Sequence, residues 1–212
     1  MHNRGRRSLD QHELQGTISA AGFASGDRFV VGAWERSPVG PIIDVMWAAP
    51  DGTRTLLAPS QAAADFITSV YEFDQVQIAS VVGDCTSRHT KVSAGPLTIE
   101  LQAGRGVSLP AVRPAWFTRW IEGPIGRAAI GVRTYGVSPT GVHEWYRALS
   151  WRPVTNGSAA LDGRDLGELG PLDPPARFGF SEPPKRPAIV GIRPLLAAAP
   201  GIIELPANGD NE

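Results

Sequence analysis

A nearly continuous apolar run, residues 42–49 (IIDVMWAA), constrains the fold more than any other stretch of the chain. It lacks the alternation of a half-exposed strand, so it reads as a strand buried on both faces. Pro50, Asp51 and Gly52 stop it, and residues 53–57 return. Asp-Gly between two such runs predicts a hairpin with a type I′ turn, because both residues accept the positive φ this turn requires. One acid, Asp44, sits inside the run. A carboxylate among apolar side chains has to be paired or neutralised, since an isolated buried charge is very costly.

The wider chain supplies many short strands. Glycine (24) and proline (19) make up about a fifth of 212 residues and follow no period, which predicts frequent turns. The expected fold is α+β and mostly β: an antiparallel curved sheet forming a partly open barrel with one or two short helices. Residues 1–15 read as disordered or as an arm, 16–206 as a single β-rich domain, and 207–212 as a tail.

Charge and cysteine use exclude several partner classes. The net charge is −1, and no polybasic stretch occurs, so no nucleic-acid or membrane partner is expected. The single cysteine, Cys85, permits no internal disulfide. The basic N-terminus has no apolar segment behind it, and no run approaches the ~18 residues of a membrane span. A cytoplasmic location is the expectation. The Arg-over-Lys bias fits a GC-rich genome as well as it fits phosphate binding.

Along the chain, residues 28–34 read as a strand and SPVGP (37–41) as a structural corner, with a ligand-facing rim loop as the lesser reading. Residues 60–71 are the best helix: Ser60 can cap it, and Ala63, Phe66, Ile67, Val70 and Tyr71 share one stripe. Residues 74–82 read as one strand and 83–90 as a hairpin loop. That loop holds Cys85 and His89, whose spacing is only weakly that of a nucleophile and base. No second Cys or His lies at ligand spacing, so no metal is expected. Residues 96–102 alternate, with Leu97, Ile99 and Leu101 inward and Thr98, Glu100 and Gln102 outward. Glu100 gains interest only if that polar set lines a barrel.

Residues 114–121 predict a second short helix, and 128–136 a strand with Arg133 and Tyr135 on one face beside Gly131. Residues 142–155 read as a helix or as a long bent strand, and their aromatic and β-branched content favours the strand. Asn156-Gly157 reads as a hairpin turn with 158–161 returning, Asp162-Gly163 as a second turn, and 188–193 as the last strand. No phosphate loop, GxSxG elbow, HExxH or CxxC occurs, and no cofactor is expected.

The order of His143-Glu144-Trp145-Tyr146, then Leu161-Asp162-Gly163-Arg164-Asp165-Leu166-Gly167-Glu168-Leu169, then Ile192-Arg193-Pro194 resembles the acetoacetate decarboxylase-like β-barrel group over about the last 70 residues. The resemblance implies a curved sheet around a small-molecule pocket. That group's decarboxylases use a lysine activated by a neighbouring lysine. Lys91 and Lys185 are the chain's two lysines and are far apart in sequence, so that chemistry is not carried over.

The leading expectation is therefore a small-molecule binding protein for a carboxylate or carbonyl compound, without Schiff-base chemistry. Its pocket is assigned to Asp44, Trp47, Arg133 and Tyr135: Arg133 for an anionic head, Tyr135 as hydroxyl partner, and Asp44 with Trp47 from the hairpin. An internal Asp44–Arg133 ion pair without ligand is the competing structural account. The alternatives are acid–base catalysis by Asp44 or Glu100, and a Trp-rich interaction protein. Self-association as a homo-oligomer is left open.

Overall fold

Strands β4 (Ile42–Ala48) and β5 (Arg54–Ala58) form the expected hairpin at the heart of the molecule. In this computed structural model the described residues are 9–108, 135–179, 183–203 and 205. The hairpin turn differs in type. Gly52 has φ +92°, while Asp51 is not in the positive region. Gly52 N–H donates to Ala49 O (3.0 Å) and Ala49 N–H to Thr53 O (2.9 Å). This is a three-residue loop with glycine alone in the left-handed position, not a two-residue I′ turn. Pro50 accounts for the difference, because its fixed negative φ favours the start of an ordinary turn.

The main sheet runs β6–β5–β4–β3–β2–β16–β13–β9–β8–β7. Its other strands are β2 (Gln15–Phe23), β3 (Arg28–Arg36), β6 (Gln75–Ile78), β7 (Val81–Cys85), β8 (His89–Ala94), β9 (Leu97–Ala103), β13 (Ala148–Leu161) and β16 (Ala188–Ile192). Short strands β10 (Val107–Ser108) and β14 (Arg164–Asp165) pair with β13, and β15 (Leu169–Gly170) pairs with β2. Among the described residues every pairing is antiparallel except β5 with β6. Between those two lies α1 (Gln61–Thr68), which returns the chain to the same end and so permits a parallel neighbour. Ser60 Oγ accepts from Ala63 N–H at 3.2 Å and caps the helix as expected.

The sheet curls until β7, one edge, approaches β4, giving the partly open barrel. The residues inside the curl form a core that includes Phe29, Val31, Val45, Leu97, Ile99 and Leu101. Ser19 and Thr90 hydroxyls hydrogen-bond across it. A second core lies on the outer face of β2–β5, where α1 supplies Ala63, Ala64, Phe66 and Ile67. A small sheet adds its own apolar residues there. It is ordered β1 (Asp10–Glu13), β17 (Leu195–Ala198), β12 (His143–Trp145), β11 (Tyr135–Val137).

Several expectations are corrected. Residues 74–82 are two strands, β6 and β7, at opposite edges of the sheet; residues 79 and 80 carry the chain across the opening. Asn156-Gly157 makes no turn, for β13 runs through it to Leu161. A Cβ on Gly157 would sit 2.7 Å from a Leu101 methyl, so this glycine makes room inside the curl. Asp162 (φ 51°) and Gly163 (φ 76°) do form the expected tight turn. The stretch 142–155 splits between the two sheets, β17 follows the strand expected to be last, and residues 10–13 pair with β17. The expected helix at 114–121 and most of the strand at 128–136, including Arg133, lie outside the described residues. No helix among those described is long and apolar enough to cross a membrane.

Candidate functional site

Strand alternation decides where each acid of the central region points. On β4, Ile42, Asp44, Met46 and Ala48 face the outer core; Ile43, Val45 and Trp47 face the inside of the curl. Asp44 is wholly buried, at 0% exposure. Its Oδ1 accepts from Trp34 Nε1 at 3.1 Å. Gly32 is its cross-strand partner on β3, and a Cβ there would lie 2.5 Å from Asp44 Oδ1 and 2.7 Å from Trp34 Nε1. The acid and the indole meet over a glycine because any side chain would part them. Asp44 Oδ2 is buried and has no hydrogen-bond partner.

A second buried acid comes from the small sheet. Val142, Glu144 and Tyr146 all turn toward the outer core, and Glu144 is also at 0% exposure. Tyr146 Oη donates to Glu144 Oε2 at 2.7 Å, and Tyr71 Oη lies 3.3 Å from the same oxygen. The two phenol oxygens are bonded to each other. Gly179 packs flat on the Tyr71 ring, where a Cβ would come within 2.6 Å of Cδ1. Glu144 Oε1, like Asp44 Oδ2, is buried without a partner.

Burial dominates the electrostatics. It pushes the Asp44 carboxyl up to about 7, against a smaller lowering by the Trp34 bond. It pushes Glu144 up to about 7 as well, opposed by the Tyr146 and Tyr71 hydrogen bonds. Both phenols are held well above their ordinary range, first by burial and then by neighbouring charge. Asp44 also raises the Tyr71 phenol, as the smallest of its causes, while neither acid shifts the other. Near neutral pH each carboxyl is poised between a form that donates a hydrogen bond and one that only accepts.

The structure separates other residues that the sequence grouped together. Trp47 lies on the face opposite Asp44, where its Nε1 donates to Asp27 Oδ1 at 2.7 Å and its ring stacks on Phe29 at 6.4 Å. It braces the β2–β3 turn. Tyr135 opens β11, paired with Trp145; Arg133 lies outside the described residues. Glu100 points to solvent and pairs with Lys91. Cys85 packs toward the inside of the curl, with its thiol pushed up to about 11, first by burial. His89 instead bonds Asp84 Oδ2 at 2.8 Å and Thr86 Oγ1 at 3.1 Å. No nucleophile–base pair forms between them. Among the described residues no three His, Cys, Asp or Glu side chains gather as metal ligands.

Glu144 is the residue that sequence reasoning missed, although Val142, Glu144 and Tyr146 are spaced as one strand face. Fold and site together define a curled, mostly antiparallel half-barrel with a buried acid–tyrosine cluster on its outer face. No family model, curated protein or solved structure matches the chain.

Proposed function

We propose that the protein binds a small polar organic molecule, a carbonyl or hydroxyl compound, at the Asp44–Glu144–tyrosine cluster. The observation behind this reading is that Asp44 Oδ2 and Glu144 Oε1 are both buried and both lack a hydrogen-bond partner. A buried polar atom left unbonded costs about 1–3 kcal/mol, and a ligand that bonds to it recovers that cost. A protonated carboxyl donates to a carbonyl oxygen; an ionised one accepts from a hydroxyl. Tyr71 and Tyr146 are partly exposed, although their hydroxyl groups are buried with Glu144. A carboxylate ligand, the other expectation, would rely on Arg133 and fits an acid-lined site less well. A non-decarboxylating relative of the acetoacetate decarboxylase-like barrels remains part of this proposal. Both lysines are exposed and ion-paired, Lys91 to Glu100 and Lys185 to Asp173, which suits neither for Schiff-base chemistry.

The test is a thermal-shift screen of small aldehydes, ketones and polyols against the wild type, Asp44→Asn and Glu144→Gln. The reading expects compounds that raise the wild-type Tm and lose their effect in at least one folded variant. Hits indifferent to both substitutions, or no hits, would count against it.

One observation favours a second reading, acid–base catalysis: two buried carboxyls stand near pH 7, where proton donors and acceptors work best. An Asp44→Asn protein with unchanged Tm but without a turnover found by metabolite screening would favour catalysis over binding alone.

A further inference from the structure

Beside Val154 and Leu169 lies an open depression of about 490 Å³. Its floor is Val154 and Leu169, both belonging to the interior core or packed against it, and Pro171 and Pro187 stiffen its sides. Backbone bonds fix that frame: Val154 N–H to Pro187 O and Leu172 N–H to Lys185 O, both at 2.9 Å. Two cations stand at the rim, Lys185 and Arg186.

The cations are not equivalent. Lys185 Nζ is 2.7 Å from Asp173 Oδ2 and is thereby neutralised. Arg186 is exposed and makes no hydrogen bond or ion pair among the described residues. Among the described residues the rim therefore presents one positive charge without an ionic partner, on a planar fork suited to a carboxylate, above an apolar floor. The depression is broad and open to solvent, so a ligand would lie on it with one side exposed.

We propose that this depression is a binding site for a small monocarboxylate with an apolar body, its head on Arg186 and its tail over Val154 and Leu169. Neither half of such a ligand suffices. An exposed charge contact alone is weak, and an open apolar floor alone offers no orientation.

The test is a titration of the ¹⁵N-labelled protein with hexanoate, followed by amide chemical shifts, with hexanol and acetate as probes that each lack one half. Saturable shifts at Leu169, Gly170, Lys185 and Arg186 are expected for hexanoate, with clearly weaker responses to hexanol and to acetate. Added salt should weaken binding, and Arg186→Gln, a change at an exposed position, should weaken it about fivefold. No saturable shifts at these residues, equal binding of hexanol, or unchanged affinity in Arg186→Gln would each overturn the assignment.

Discussion

Trp34 Nε1 donates to Asp44 Oδ1 at 3.1 Å across a glycine, so among the described residues a neutral indole holds the buried acid of the central hairpin. An indole N–H lowers the acid's pKa less than burial raises it, which leaves the carboxyl near neutrality.

Gly32→Ala tests that geometry. The new methyl would meet Asp44 Oδ1 at 2.5 Å and Trp34 Nε1 at 2.7 Å, contacts that cannot stand. A loss of about 1–3 kcal/mol is expected, as for other overpacked sites, read from urea unfolding midpoints. Gly170→Ala is the control, since its nearest neighbour would be 3.9 Å away, and it should stay within about 0.5 kcal/mol of wild type.

The two acids set a pH dependence opposite to that of paired carboxylates. Asp44 and Glu144 have folded-state pKa values of about 7, above the 3.8 and 4.5 of free side chains. Between those limits the unfolded chain releases protons that the folded chain keeps. Their contribution to stability is therefore full below about pH 4, falls as pH rises through about 7, and is flat above. Each pKa unit corresponds to about 1.4 kcal/mol. Thermal melts should show a Tm that decreases from pH 5 to pH 8, with a smaller slope in Asp44→Asn.

Tyr146→Phe removes the 2.7 Å donor to Glu144 and leaves Tyr71 as the remaining phenol. Losing a hydrogen bond costs about 0.5–1.5 kcal/mol when the partner is neutral and about 1.5–3 kcal/mol when it is charged. The cost should be larger at pH 8, where Glu144 is ionised, than at pH 5. Equal destabilisation at both pH values would show that Tyr146 acts through packing alone.

Much of this arrangement was legible in the chain. Asp44 could be found because an acid interrupts an otherwise apolar strand, and the Ser60 cap and the 97–101 alternation fixed α1 and β9. Glu144 could not be singled out the same way, because its sequence neighbours His143 and Trp145 are large and partly polar and β12 is three residues long. Trp47 was grouped with Asp44 because burial on both faces hides which face a residue takes; an odd spacing of three sends the two side chains apart. Asn156-Gly157 imitates a turn in sequence, yet the glycine answers to Leu101 across the interior. Such cross-strand demands for space leave no local trace.

The Cys85 thiol, pushed up to about 11 by burial, should be unreactive. Its modification by a thiol-specific disulfide reagent at pH 8 should be at least about tenfold slower than in the urea-unfolded chain. Equal rates would place the thiol in an open, activating environment.

The central claim is that two buried carboxyls near neutrality share the outer core. It is tested most directly by ¹³C NMR titration of the side-chain carboxyls, assigned with Asp44→Asn and Glu144→Gln. The structure leads to two carboxyls titrating near pH 7 in the folded protein. Titration of both near pH 4, as for solvent-exposed acids, would contradict it.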